Sequence, residues 1–91
     1  MGRVVWSDEA MENAAGITGY VRGFSPAAAA RLESEFADIA ENLGTFPELG
    51  RPIGGRRREV VVVRPFVLRY VIIGEEVRIL SIRHSARRPP G

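Results

Sequence analysis

The only histidine of the chain, His84, stands in a basic run near the carboxyl end, after Arg83 and before Arg87 and Arg88. Imidazole exchanges protons near neutral pH, and arginines hold phosphate groups and stabilise the charge that develops during their transfer. The spacing permits phosphate chemistry, but it is more typical of a strand end followed by a solvated basic tail. No second base, serine triad or carboxylate pair stands nearby in the sequence. One histidine without cysteine predicts no metal site, and we expect no cofactor.

Basic residues are concentrated in the second half of the chain. All thirteen are arginines; the first fifty residues hold three with eight acids, and the remaining residues hold ten with three acids. The charge balance thus changes from −5 to +7 along the chain. A second cluster, Arg56–Arg58, is expected to form one positive patch at a sheet end with Arg83, Arg87 and Arg88. Such a patch suits a phosphate backbone or an acidic groove on a protein.

Length and composition indicate one small cytoplasmic domain. A chain of 91 residues buries a single core, so we expect residues 1–91 to form one domain with residues 89–91 as a flexible tail. The hydrophobic share of 45% and the charged share of 26% are those of a globular protein. The longest apolar stretch, residues 60–74, is too short and too charged to cross a bilayer, and no signal peptide is recognisable. We therefore expect a cytoplasmic protein that does not enter a membrane.

Two amphipathic helices precede the basic half. Ser7 is expected to cap the first helix, and Ser25 with Pro26 begins the second. Gly44 is placed to end the second helix in a left-handed conformation. The apolar residues of the first helix recur with helical spacing at Ala10, Ala14, Ile17, Val21 and Phe24. A short connection between the helices predicts an antiparallel hairpin.

Short β-rich runs surround this hairpin. The first covers residues 3–6, and the runs at 59–63, 66–73 and 77–83 follow an irregular connection at 45–55. Short links between the last three runs favour an antiparallel meander, and the first run completes one edge. The sequence therefore predicts an α+β fold of order β-α-α-β-β-β. In it the helical hairpin lies on one face of a mostly antiparallel four-stranded sheet.

The predicted meander is apolar on both faces, although one hairpin covers only one of them. Val67 and Val71 point away from the expected core in the middle strand, and alternation places Leu80 and Ile82 on a common face of the last strand. An exposed apolar surface of this size indicates a protein partner. The alternative is that the loop 45–57 and the tail fold over it.

Three segments carry motifs in a recognisable order. They are VWSDEA at residues 5–10, LGTFPELGRP at residues 43–52 and VRILSIRHSAR at residues 77–87. In this order, with the hairpin between the first two, they resemble the ParE/RelE superfamily of toxins from type II toxin–antitoxin systems. The ending and the Phe-Pro-Glu-Leu-Gly-Arg-Pro segment are most similar to the ParE-like branch. The resemblance covers nearly the whole chain and implies the same β-α-α-β-β-β fold.

The superfamily implies two activities, ribosome-dependent mRNA cleavage in RelE-like members and inhibition of DNA gyrase by protein contact in ParE-like members. Catalytic members carry an arginine where this chain has Val67, and they often use lysines, which it lacks. The resemblance therefore favours a non-catalytic gyrase inhibitor that arrests growth and serves plasmid stabilisation. The alternatives are an inactive homologue that only binds its antitoxin and a ribonuclease using His84, Arg69 and Arg83. A ribonuclease requires Arg69 and Arg78 to converge with His84 on one pocket.

The family also implies a cognate antitoxin, whose acidic and amphipathic C-terminal segment wraps over the toxin. Such a segment suits the apolar second face and the basic half of the chain. We expect it to contact Arg56, Arg57, Arg58, Val67, Arg69, Val71, Leu80 and Ile82. For target binding we expect Arg83, His84, Arg87 and Arg88. We do not expect the toxin alone to bind DNA directly.

Overall fold

The computed structural model describes residues 2–85, so the tail expected at residues 89–91 lies outside the described residues. The elements are β1 (Arg3–Trp6), α1 (Asp8–Arg22), α2 (Pro26–Thr45), β2 (Arg51–Gly54), β3 (Arg57–Val63), β4 (Phe66–Ile73) and β5 (Glu76–His84). The strands form one sheet in the order β1-β5-β4-β3-β2, in which β1 runs parallel to β5 and the other neighbours are antiparallel. The predicted α+β class, with a helical hairpin on a mostly antiparallel sheet, is confirmed. Neither α1 nor α2, the two helices of this range, is long and apolar enough to span a membrane.

The sheet has five strands instead of the predicted four, because part of the expected irregular connection forms β2. Arg51 pairs with Glu59 and Pro52 with Arg58, and the register shifts before Gly54. Proline has no N–H to donate, so it is tolerated on an edge strand such as this one. The segment therefore widens the sheet sideways and does not fold over its second face.

Serine caps confirm where both helices begin. The Ser7 hydroxyl oxygen accepts a hydrogen bond from the Ala10 N–H at 3.0 Å, and that of Ser25 accepts from the Ala28 N–H at 3.1 Å. Each bond satisfies one of the free amide groups in the first helical turn and contributes about 1 kcal/mol.

Gly44 does not end α2, contrary to the prediction. The helix continues to Thr45, and the buried Gly44 accepts a hydrogen bond from the Gly2 N–H on its carbonyl oxygen at 2.8 Å. A Cβ atom at Gly44 would lie 3.1 Å from the Gly2 carbonyl oxygen and 3.2 Å from Cγ2 of Val4. The glycine therefore permits the close approach of α2 to β1, and no left-handed backbone is involved.

The core lies between the hairpin and the sheet. Its buried apolar residues are Ala10, Phe36, Ile39, Ala40, Leu43, Leu68, Tyr70, Val77, Ile79 and Ile82. The predicted apolar stripe of α2 supplies Phe36, Ile39 and Leu43 to it. Phe24 was predicted on the buried face of α1 but is 76% exposed. Because α1 ends at Arg22, the helical spacing does not extend to Phe24.

Candidate partner-binding face

The side of the sheet that faces away from the helices, called the outer face below, combines apolar and arginine side chains. Val67 is registered with Val61 and Arg83, and Val71 with Arg78. Residues directly opposite each other on neighbouring strands point to the same side, so all five belong to the outer face. Val61 is 56% exposed, and within residues 2–85 the helices pack on the core side of the sheet and along the free edge of β5. The uncovered face predicted from the sequence is therefore present, with arginines set among its apolar residues.

A β-bulge in β5 decides which residues of this strand reach the outer face. The register shift between Arg69 and Tyr70 places one extra residue, Leu80, in β5. An extra residue reverses the inward and outward alternation beyond it. Ile82 is consequently 2% exposed and belongs to the core, whereas Leu80 is half-buried on the outer face. The prediction that Leu80 and Ile82 share a face is wrong for this reason, and Ile82 is buried away from the outer face.

Three charged side chains, called the Arg51–Glu59–Arg69 triad below, cross the middle of the outer face. Glu59 Oε1 accepts a hydrogen bond from Arg51 Nη2 at 2.9 Å, and Glu59 Oε2 accepts one from Arg69 Nε at 3.1 Å. Burial alone would raise the pKa of Glu59, but the hydrogen bonds and charges of both arginines outweigh this effect. The pKa of Glu59 therefore lies below its ordinary value of 4.5. The carboxylate is charged at neutral pH, and the triad keeps one net positive charge.

Two further arginines of the outer face are paired with acids. Arg78 donates from Nε at 3.1 Å and from Nη2 at 2.7 Å to Oε2 of Glu76. Arg83 Nη2 lies 3.8 Å from Oε2 of Glu9. About half of each arginine side chain is exposed, and surface pairs of this kind contribute at most about 1 kcal/mol. Replacing these ion pairs by contacts with the carboxylates of a partner therefore costs little free energy.

The two basic clusters lie at different ends of the sheet. Arg57 is registered with Val71 and Arg83 with Val67. The four-residue step between Val67 and Val71 corresponds to about 13 Å along a strand. The described residues thus do not form the single positive patch that was predicted. Arg87 and Arg88, which were predicted to join it, lie outside the described residues.

The loop of residues 46–50, which carries the Phe-Pro-Glu-Leu-Gly motif, is held by two side chains. Arg58 Nη1 donates to the Gly50 carbonyl oxygen at 2.7 Å. The fully buried Tyr70 donates its hydroxyl to the Pro47 carbonyl oxygen at 2.6 Å and accepts the Gly50 N–H at 2.8 Å. The motif therefore has a structural role at the end of α2. The Arg58 guanidinium predicted for antitoxin binding is already bonded to this loop.

His84 lies on the helix side of the sheet, opposite to the arginines that a ribonuclease would need beside it. It is registered with Phe66, and the two ring centroids are 5.6 Å apart. Both residues line a groove of about 660 Å³ between α1 and the β3–β4 turn. Arg69, Arg78 and Arg83 belong to the outer face, so the structure does not bring them to one pocket with His84. Among residues 2–85 no group of three His, Asp or Glu side chains is placed to hold a metal ion.

Sequence reasoning missed two polar arrangements. Arg51 and Glu59 were not recognised as a cross-strand pair, because β2 was interpreted as a loop; a correct strand assignment would have revealed the pair. Where β5 extends past the end of β1, the backbone groups of its free edge are hydrogen-bonded by side chains of α1 and its N-cap residue. Ser7 Oγ donates to the Leu80 carbonyl oxygen at 3.0 Å, and Asn13 Oδ1 accepts the Ile82 N–H at 3.0 Å. The sequence gives no signal for these two bonds, since they join residues about seventy positions apart.

Exposed aromatic side chains at the hairpin tip were also missed. Tyr20 is 72% exposed, and its ring centroid lies 5.2 Å from that of Phe24 in an edge-to-face arrangement. Phe46 and Leu49, on the anchored loop at the other end of α2, are 63% and 50% exposed. Large apolar side chains that remain exposed mark surfaces suited to protein contact.

Comparisons with known proteins agree with this architecture. A family model described as "ParE toxin of type II toxin-antitoxin system, parDE" matches residues 4–89. A relative named "Toxin RelE2" from Caulobacter vibrioides is 40% identical over 87 residues, which cover 96% of this chain and 99% of the relative. A solved structure titled "Chromosomal ParDE TA system from P. aeruginosa" superposes with a TM-score of 0.77 at 24% identity, covering 92% of this chain and 96% of that chain. At that identity the superposition shows the fold alone.

Proposed function

This chain belongs to the ParE toxin family of type II toxin–antitoxin systems, and we propose that it arrests growth by binding DNA gyrase and blocking replication. The observation that carries this proposal is the position of Arg69 and His84 on opposite sides of the sheet. Cleavage of RNA requires a proton-transferring group and a phosphate-binding cation within reach of the same phosphate. Val67, which stands where catalytic relatives carry an arginine, supplies neither. Inhibition by contact needs only a complementary surface.

The contact with gyrase is proposed at the end of β5. Arg83 is half exposed there, and His84 lines the groove beside α1. A guanidinium offers five donors in a rigid plane and suits contact with acidic groups of a protein. Arg87 and Arg88 follow after Ser85 and Ala86 in the sequence, and we propose that their charges also contribute to target binding.

The family implies an antitoxin partner, and we propose that it covers the outer face of the sheet. Val67, Val71 and Leu80 would meet its apolar residues, while Arg69 and Arg57 would meet its acids. Because gyrase acts on bacterial DNA inside the cell, we propose the cytoplasm as the place of action. Plasmid stabilisation by a toxin depends on its neutralisation by a bound antitoxin. We propose that this toxin and its antitoxin serve plasmid stabilisation.

A second candidate function is RelE-like cleavage of mRNA on the ribosome. It is supported by the printed name of the C. vibrioides relative, "Toxin RelE2", at 40% identity. The third possibility carried from the sequence is a homologue that binds its antitoxin without inhibiting a target. The same experiment separates all three.

Pulse-labelling after induction of the chain alone in a bacterial host tests the proposal, together with a supercoiling assay on purified gyrase. We expect DNA synthesis to fall before protein synthesis, and supercoiling to be inhibited by the purified chain. An early fall in protein synthesis with cut mRNA would contradict the proposal and support the ribonuclease. Continued growth, with normal supercoiling at high toxin concentration, would also contradict it and indicate an inactive homologue.

A further inference from the structure

We infer that the Arg51–Glu59–Arg69 triad is a preformed receptor for one carboxylate of the acidic antitoxin segment. The inference rests on the proposed covering of the outer face by the antitoxin. It does not depend on whether gyrase is the target. Glu59 acts in it as a positioning residue, since it holds the two arginines that would contact the partner.

The geometry of the triad leaves hydrogen-bond donors for a second acceptor. Glu59 engages each arginine with a different carboxylate oxygen, and its own side chain is only 14% exposed. The side chains of Arg51 and Arg69 are 74% and 44% exposed. Arg69 uses Nε for its bond to Glu59, so its terminal amino groups remain for another carboxylate. Arg51 uses only one terminal nitrogen in the same contact.

Apolar residues flank the triad on both sides along β4. Val67 and Val71 stand two residues before and two residues after Arg69, each about 7 Å from it along the strand. Val61 extends the first apolar group across to β3 and is 56% exposed. A segment lying along β4 therefore meets an apolar group, a cationic group and a second apolar group in order. This order fits an amphipathic segment with an acid between apolar anchors.

The sign of the charge selects this occupant. Along β3, β4 and β5 the outer face presents arginines from each strand, namely Arg57, Arg69, Arg78 and Arg83, and Arg51 adds another from the edge. Glu59 and Glu76 are the acids paired with them on this face. A second copy of this chain would bring the same excess of positive charge to the interface, and juxtaposed like charges are costly. An acidic partner gains from the same arrangement.

Glu59 makes the receptor rigid before the partner arrives. Free arginine side chains lose rotamer freedom when a partner immobilises them, and this ordering costs binding free energy. Because the carboxylate of Glu59 already orders Arg51 and Arg69, that cost is met in the folded toxin. Removal of the Glu59 charge thus has two opposite effects on an acidic ligand: it adds net attraction and loosens the receptor. The loss of rigidity is the larger of the two effects.

Two matched substitutions separate these effects. Glu59→Gln and Glu76→Gln each remove one negative charge from the outer face, but Glu76 is paired with Arg78 alone. The probe is a labelled peptide that carries a glutamate between two leucines on its binding face, as the order of groups along β4 requires, and its control replaces every glutamate by lysine. Binding to the full chain is measured by fluorescence anisotropy. Arg69→Lys and Arg51→Lys are two further variants, which keep the positive charge. Urea unfolding of every variant checks that the fold is retained.

We expect the glutamate peptide to bind the wild type and the lysine peptide not to bind. Glu59→Gln should weaken binding several-fold, whereas Glu76→Gln should leave it equal or slightly tighter. Arg69→Lys should weaken it by about tenfold, since lysine keeps the charge but not the planar fork. Equal binding of both peptides, no binding of the glutamate peptide, or tighter binding by Glu59→Gln would each overturn the inference. The supercoiling assay is scored separately, so a failed gyrase proposal leaves this result unaffected.

Discussion

The buried hydroxyl of Tyr70 accepts the backbone N–H of Gly50 at 2.8 Å, which joins the middle strand to a loop twenty residues earlier in the chain. The same hydroxyl donates to the Pro47 carbonyl oxygen at 2.6 Å. One phenol therefore fixes both ends of the segment between α2 and β2. This contact gives a physical reason for the most distinctive motif of the chain, and it positions Arg51 at the start of β2.

Tyr70→Phe is expected to lower the free energy of unfolding by about 2–3 kcal/mol, because it leaves a buried N–H and a carbonyl oxygen without their partner. Urea unfolding followed by circular dichroism measures the change. Tyr20→Phe is the matched control, since Tyr20 is 72% exposed and should lose less than about 0.5 kcal/mol. Equal stability of the two variants would contradict the assigned role of the Tyr70 hydroxyl.

Alanine substitutions at two glycines should have opposite signs. A Cβ at Gly50 would lie 2.8 Å from the Glu59 carbonyl oxygen and 2.9 Å from the Tyr70 ring, so Gly50→Ala should destabilise the fold by about 1–3 kcal/mol. A Cβ at Gly16 meets no atom within 4 Å, and Gly16 lies in an exposed part of α1. Gly16→Ala should therefore stabilise the fold by about 0.5–1 kcal/mol. Thermal unfolding of the pair measures both changes; a stable Gly50→Ala variant would mean that the loop is not held as described.

The stability of the chain should depend on pH through Glu59. Its pKa is lower in the folded state than the ordinary 4.5, so ionised Glu59 stabilises the fold above that pH. This contribution is lost as the pH falls from 4.5 through the lower folded value. The difference in unfolding free energy between the wild type and Glu59→Gln should accordingly shrink between neutral pH and about pH 3. Glu33→Gln, in the exposed pair with Arg22, provides the comparison, and a pH-independent difference at Glu59 would refute the prediction.

Acidic substitutions on the outer face should disrupt the complex with the antitoxin. Val71→Asp and Leu80→Asp each put a carboxylate among apolar contacts, and we expect binding to weaken by at least about tenfold. Met11→Asp is the control, because Met11 is 50% exposed on α1 and not on the sheet. Co-purification and calorimetry measure the affinity. Intact complexes with both sheet variants, each still folded, would place the antitoxin elsewhere.

Arg83 should matter for the target, while an equally exposed arginine should not. Arg83→Ala is expected to raise the toxin concentration needed to inhibit gyrase supercoiling by about tenfold, the effect of losing about 1.4 kcal/mol of contact energy. Arg22→Ala is the control, since the two side chains are both 51% exposed in ion pairs. Identical inhibition curves for the two variants would argue against target contact at the end of β5.

The local pattern of the sequence determined most of the elements. The serine caps at Ser7 and Ser25 are recognisable because the groups they satisfy lie three residues away in the same helix. The β-branched runs predicted the bounds of β3, β4 and β5 to within two residues. Charge segregation and the apolar second side of β4 indicated a binding surface. All of these depend on neighbours along the chain, which a single sequence displays.

Tertiary structure alone decided which side chains meet. The bulge at Leu80 places Ile82 in the core. The alternation of apolar and polar residues along a strand does not indicate where such an extra residue is inserted. The use of Gly44 for close approach depends on β1, about forty residues away. The separation of His84 from Arg69 and the pairing of Glu59 with two arginines depend on strand register, which is set by packing across the sheet. Types and spacing of residues thus specified the fold class, whereas contacts between distant residues specified the surface on which function is proposed.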